Sequence, residues 1–88
     1  MIHKLKTWPV YFNEVLNGNK PFEVRKNDRA FGVNDEVLLE EWYPENDEEP
    51  NQEGCYSGRI IHSRISYILY GGQFGIEKGF IVMGLAQI

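Results

Sequence analysis

The chain has one cysteine, and none of its apolar runs reaches the roughly 18 residues that a membrane-spanning helix needs. A lone thiol, Cys55, excludes an intrachain disulfide and lacks the companion thiols of a zinc ribbon. The two histidines, His3 and His62, lie far apart in the sequence without a recognisable third ligand, so we expect no metal. We also expect no cofactor. Because the chain has no apolar run long enough to span a membrane, we expect no membrane partner. The first residues contain no apolar signal-peptide stretch, and a cytoplasmic location is therefore the expectation.

Basic side chains are missing from residues 35–53, which contain nine acids and no lysine or arginine. The remaining residues hold nine bases and four acids, a net charge of +5. A basic surface can coexist with the acidic segment when more than a Debye length, about 8–10 Å, separates them. The overall charge of −4 therefore does not exclude a nucleic-acid partner. Residues 45–53 show no apolar periodicity, and we expect them to form a solvated, mobile hairpin.

One helix is indicated near the start of the chain. Apolar residues at helical spacing predict it over residues 8–17, with Thr7 capping its start and Gly18 its end. Its apolar face consists of Trp8, Phe12, Val15 and Leu16. Because tryptophan is amphipathic, Trp8 at the helix entrance also suits the rim of a cleft.

The rest of the chain is rich in strand patterns, which occur over residues 2–6, 22–26, 37–43, 59–70 and 80–85. In the longest of these strands, alternation assigns Ile61, Ile65, Tyr67 and Leu69 to one face. The length of 88 residues indicates one domain covering residues 1–88. The predicted fold class is mixed α/β and mainly β, with one main helix.

The predicted strand at residues 22–26, together with the junction before it, carries an ammonium, a carboxylate and a guanidinium within a few residues. Strand alternation sends Phe22 and Val24 to the core and Glu23 and Arg25 to the opposite face. That polar face fits either a solvated surface with a cross-strand ion pair or an array that binds a ligand. The spacing alone leaves both interpretations open.

The same segment carries a family resemblance. Its residues GNKPFEVR resemble the Gly-x-Lys-x-x-Glu-x-Arg pattern of ASCH (activating signal cointegrator homology) domains, a branch of the PUA-like superfamily. Nearly the whole chain is similar to a small bacterial and phage branch of unknown function. The residues that carry this similarity are His3, Leu5, Lys6, Trp8-Pro9, the run from Phe22 to Arg29, Phe74-Gly75 and Gly79-Phe80. The resemblance implies a PUA-like pseudo-barrel of about five to six strands.

The resemblance and the charge pattern together predict a binding cleft formed by Lys20, Glu23 and Arg25. Lysine and arginine donate hydrogen bonds to phosphate or carbonyl oxygens, and glutamate accepts them from exocyclic amines. Four further side chains are expected at the edge of this cleft or along a positive surface beside it, namely Lys6, Trp8, Lys26 and Arg29.

Three functions fit these residues. The favoured one is an RNA- or nucleotide-binding module that uses the charged cleft. The alternative is a small amidohydrolase acting on a modified nucleoside, because a related ASCH-like branch carries Gly-x-Lys-x-x-Thr-x-Arg with catalytic Lys and Thr. Glu23 occupies the place of that Thr, so the hydroxyl nucleophile is missing and the enzyme is less favoured. A protein-interaction module that uses the acidic segment 35–53 is the third possibility.

Overall fold

The computed structural model describes residues 1–44 and 54–88, which form one helix and five strands. The elements follow the order β1 (Ile2–Thr7), α1 (Pro9–Leu16), β2 (Phe22–Lys26), β3 (Glu36–Tyr43), β4 (Cys55–Tyr70) and β5 (Phe80–Gln87). The prediction of a mainly β fold with one helix is confirmed. The acidic hairpin expected at 45–53 lies outside the described residues.

The five strands form one sheet in the order β1-β3-β4-β5-β2. Strand β1 pairs parallel with β3, whereas the other neighbouring pairs are antiparallel. The sheet curls into a half-barrel, which brings its two edge strands, β1 and β2, toward each other. Two arginine side chains of the β2 segment bridge the gap: Arg25 donates to the main-chain carbonyl of Lys6 at 2.7 Å, and Arg29 to that of Lys4 at 3.4 Å. Side-chain hydrogen bonds thus join the edges where a closed barrel would have a backbone ladder.

The core lies inside the curl, under the helix. Phe12 and Val15 of α1 are buried against Leu5, Leu39 and other apolar side chains of the sheet. The remaining core residues are Phe31, Val37, Ile61, Ile65, Ile68, Ile81 and Met83. Burial of these side chains is the main force that holds the helix to the sheet.

One of the two predicted caps of α1 agrees with the structure and the other does not. Gly18 follows the helix with a φ of +81°, which confirms it as the residue that ends the helix. The prediction that Thr7 caps the start is wrong, because Thr7 is the buried last residue of β1 and its hydroxyl donates to the carbonyl of Leu5. Trp8 occupies the cap position instead, and Pro9 begins the helix where its missing N–H is harmless. Trp8 and Leu16, predicted on the buried face, are about half exposed.

The predicted core face of β2 is also wrong. Glu23 is only 3% exposed and points into the curl, whereas Phe22 and Val24 lie on the outer face, Val24 being 51% exposed. The physical reason is that β2 is an edge strand whose inner face borders the gap next to β1. There Glu23 finds two cationic partners, so a buried carboxylate is tolerated.

A β-bulge in β4 reverses the predicted faces in the last part of that strand. The register with β5 shifts between Ile65 and Tyr67, which inserts one extra residue. After the shift Ile68 points into the core, and Tyr67 points outward with 65% of its side chain exposed. The prediction holds for Ile61 and Ile65, before the bulge, and is wrong for Tyr67 and Leu69, which follow the bulge on the face opposite the buried Ile68.

Candidate functional site

A pocket of about 470 Å³ lies in the gap between β1 and β2, beside the start of α1. Its lining residues are Lys6, Thr7, Trp8, Tyr11, Lys20, Glu23, Val24 and Arg25. Five of the predicted site residues are therefore brought together in one pocket. Its volume falls in the range of sites for small ligands.

Glu23 lies at the centre of an ion-pair cluster in the pocket. Its Oε1 accepts a hydrogen bond from Lys20 Nζ at 2.6 Å, and its Oε2 accepts one from Arg25 Nε at 2.9 Å. Two cations around one buried carboxylate leave a net charge of +1. Both carboxylate oxygens are engaged in charge-assisted hydrogen bonds, so Glu23 holds the two cations in place more than it offers an acceptor to a ligand.

Lys20 is positioned by the chain reversal after α1. The backbone N–H groups of Asn19 and Lys20 both donate to the carbonyl of Glu14, which fixes this reversal. The Lys20 ammonium also donates to the carbonyl of Phe22 at 2.8 Å and lies 5.0 Å from the Phe22 ring and 5.8 Å from the Tyr11 ring. An ammonium has three N–H donors, and two of them have partners among the described residues.

Arg25 connects the pocket with the closure of the sheet. Besides the bond to Glu23, its Nη2 donates to the carbonyl of Lys6 and, at 3.3 Å, to the hydroxyl of Thr7. Its Nη1 has no hydrogen-bond acceptor within the described residues. The guanidinium therefore supports the fold on one side and presents donors on the other.

Trp8 and Tyr11 form an aromatic pair at the rim of the pocket. Their ring centroids lie 6.3 Å apart with an interplanar angle of 21°, and about half of each side chain is exposed. Such a surface can stack with a flat ring. Tyr11 was not predicted as a site residue, although its position three residues after Trp8 places both on one side of a helix and would have indicated it.

Two predicted site residues lie outside the pocket lining. Lys26 follows Arg25 on β2 and is exposed on the opposite face of the strand. Arg29 bridges to β1 through the carbonyl of Lys4, lies 5.6 Å from the Phe31 ring, and has Asp28 at 3.5 Å. Arg29 thus adds positive charge along the gap, and Lys26 adds it on the outer face of β2; neither contributes to the pocket lining.

A second buried carboxylate, Glu41, lies next to the pocket and was missed by the sequence analysis. It is 2% exposed, is the β3 partner of Thr7, and receives two hydrogen bonds from Arg59, at 2.9 and 2.7 Å. Hydrogen bonds from Arg59 and Ser57 lower the pKa of Glu41 from 4.5 to about 2. Arg59 also donates to Asn13 and lies 4.8 Å from the Phe12 ring, so this cluster fixes α1, and with it Trp8 and Tyr11, to the sheet.

Within residues 1–44 and 54–88, no three side chains of the His, Cys, Asp and Glu types converge in a way that could hold a metal ion. No helix in this part of the chain has the length and apolar character needed to cross a membrane.

Comparison with known proteins places the chain in a family. It is 35% identical over 65 residues to a protein of Escherichia phage P2 that is described as an uncharacterized 12.9 kDa protein in the GpA 3′ region. The match covers 74% of this chain and 51% of the phage protein, so it spans about half the length of that relative. The family model described as "Domain of unknown function (DUF3850)" matches residues 2–85. The chain therefore belongs to the DUF3850 family.

Proposed function

We propose that this protein is an ASCH domain of the PUA-like superfamily that binds RNA or a nucleotide in the pocket between β1 and β2. The observation that carries the proposal is the combination of the Trp8–Tyr11 pair with Lys20 and Arg25 in one pocket. A nucleotide has a flat ring and an acidic phosphate, and stacking together with cationic donors is how proteins bind single-stranded nucleic acid.

The distribution of cations outside the pocket supports the same proposal. Six of the nine lysines and arginines belong to the two edge strands or to the segments directly beside β2, and we call them the basic seam: Lys4, Lys6, Lys20, Arg25, Lys26 and Arg29. Of the acids in these segments, Glu23 is buried and paired with Lys20 and Arg25, and the exposed Asp28 lies 3.5 Å from Arg29. A nucleic-acid backbone along the seam would meet mainly positive charge, which is the electrostatic requirement for phosphate binding.

The hydrolase alternative receives less support from the geometry. A general base needs a carboxylate that is free to accept a proton from water. Glu23 accepts two charged hydrogen bonds and is almost inaccessible, and both features oppose that role. Binding without catalysis is therefore the better proposal.

The test is a binding measurement with a fluorescein-labelled single-stranded RNA of eight nucleotides, followed by fluorescence anisotropy. We expect the double variant Trp8→Ala/Tyr11→Ala to bind about tenfold or more weakly, since loss of one stacking contact costs about 1–3 kcal/mol. Both side chains are half exposed, so the melting temperature should change little. The matched control is the pair Tyr67→Ala/Tyr70→Ala, which removes exposed aromatics from β4. Equal losses in both double variants, or no binding by the natural protein, would contradict the proposal.

A further inference from the structure

The polar side-chain groups that remain accessible in the pocket are almost all hydrogen-bond donors. The side-chain acceptors of Glu23 and Thr7, and the carbonyls of Lys6 and Phe22 beside them, each already receive a hydrogen bond from Lys20 or Arg25. Glu23 is in addition nearly inaccessible.

The donors are only partly used. Nη1 of Arg25, one N–H of Lys20 and the indole N–H of the lining residue Trp8 have no acceptor in the described part of the chain. The ammonium of Lys6 lies 4.7 Å from the Trp42 ring, a contact that leaves its own N–H groups able to donate. Two hydroxyls line the pocket: that of Thr7 already donates to Leu5 and accepts from Arg25, whereas that of Tyr11 can both donate and accept.

The excess of free donors over free acceptors restricts which ligands the pocket can bind. The exocyclic group of a base that faces Lys20 and Arg25 must therefore be an acceptor, because an amino group at that place would be removed from water without a partner. Among the bases, uracil and guanine present a carbonyl oxygen where cytosine and adenine present an amino group. Cytosine and uracil have nearly the same size and differ in this exocyclic group and in the proton on N3, so a pocket whose donors meet the exocyclic group can separate them by hydrogen bonding alone.

We infer that the pocket selects a keto base, uracil or guanine, over an amino base. The inference rests on the proposed function and names its ligand class. It reverses the prediction that Glu23 accepts from an exocyclic amine, since that carboxylate is occupied by Lys20 and Arg25.

The test compares fluorescein-labelled octamers of uridine and of cytidine, which carry the same number of phosphates. We expect the uridine octamer to bind about tenfold more tightly, the ratio that corresponds to one unpaired donor. Equal affinities, or tighter binding of the cytidine octamer, would overturn the inference and leave the proposed RNA-binding function standing. If neither octamer binds, the inference and the proposed function both fail.

Phosphate oxygens also accept hydrogen bonds. A competition experiment with free nucleotides distinguishes recognition of a phosphate from recognition of a base carbonyl. UMP should displace the labelled uridine octamer at lower concentration than CMP or ribose 5-phosphate. Equal displacement by all three would show that the pocket recognises phosphate and would overturn the keto selection.

The variant Lys20→Met, which removes a donor and keeps the aliphatic stem, should bring the ratio of the affinities for the uridine and cytidine octamers toward one, whereas Lys78→Met should leave that ratio unchanged. An unchanged ratio in a folded Lys20→Met protein would contradict the assignment of Lys20.

Discussion

At the scale of single residues, Arg25 has two roles, because it lines the pocket and also supports the fold. It pairs with a buried carboxylate and bonds to the opposite edge strand, so its loss affects the fold as well as the pocket. The sequence motif identified Arg25 and Lys20 because they lie within a few residues of Glu23. It could not show the partners of Arg25 in β1, which are 18 and 19 residues away along the chain.

We therefore predict that Arg25→Ala lowers the free energy of unfolding by about 2–3 kcal/mol, because a buried carboxylate loses one of two charged partners. A solvent-exposed binding residue could be replaced with almost no change in stability, but we do not expect that result for Arg25. Chemical denaturation measures the change, and Lys78→Ala is the control, expected within about 0.5 kcal/mol of the natural protein. Equal stability of the two variants would show that Arg25 does not support the fold.

Phe74 is a second residue with an unusual environment. It has a φ of +52°, is followed by Gly75 with a φ of +76°, and is 83% exposed at the tip of the turn between Gln73 and Ile76. Two positive φ angles are typical of a type I′ turn, whose first central position favours Asn, Asp or Gly. A bulky side chain there costs about 1–2 kcal/mol.

Phe74→Asn should therefore raise the free energy of unfolding by about 1 kcal/mol, because asparagine tolerates the left-handed region. Phe74→Leu keeps a Cβ without the local hydrogen bonding of asparagine and should bring no such gain. The two variants can be compared in one series of urea titrations. A loss of stability in Phe74→Asn would mean that the phenyl ring makes a contact that outweighs the strain.

At the scale of elements, the sequence located every described strand and the helix, and it failed where faces were assigned. Alternation in β2 separates Phe22 and Val24 from Glu23 and Arg25, but it does not say which set faces inward. The apolar set was the natural choice for the core, and the ion pairs that reverse it depend on a neighbouring strand. In β4 the bulge before Tyr67 changes the period by one residue, and a regular pattern cannot reveal it.

The attachment of α1 to the sheet gives a prediction about pH. The pKa of Glu41 is lowered to about 2 by its hydrogen bonds with Arg59 and Ser57. A lowered pKa stabilises the fold above the ordinary value of 4.5, and this contribution is lost as the pH falls from 4.5 toward 2. The natural protein should thus be more stable than Glu41→Gln at pH 7, and the difference should shrink over that interval. Melting temperatures from pH 7 to 2 measure it, and a constant difference would contradict the assigned cause.

At the scale of the whole molecule, the fold groups basic side chains in a way that the net charge of the sequence does not reveal. The net charge of −4 gives no indication of a basic surface, yet six of the nine cations belong to the two edge strands, β1 and β2, or to the segments directly beside β2. Two of them, Lys4 and Lys26, are exposed and lie outside the pocket. They are suited to test whether a nucleic-acid strand continues along the seam beyond the pocket.

In the proposed complex each phosphate contact adds about 0.7 to the slope of log affinity against log salt for a single strand. Lys4→Ala/Lys26→Ala should therefore lower that slope by about 1.4 for the uridine octamer, one contact for each lysine removed. Stability should hardly change, since Arg29 bonds to the main-chain carbonyl of Lys4, which alanine retains. Lys78→Ala, which removes a lysine outside the seam, should leave the slope unchanged. If the double variant keeps the natural slope, the strand contacts the pocket alone and the seam does not bind its backbone.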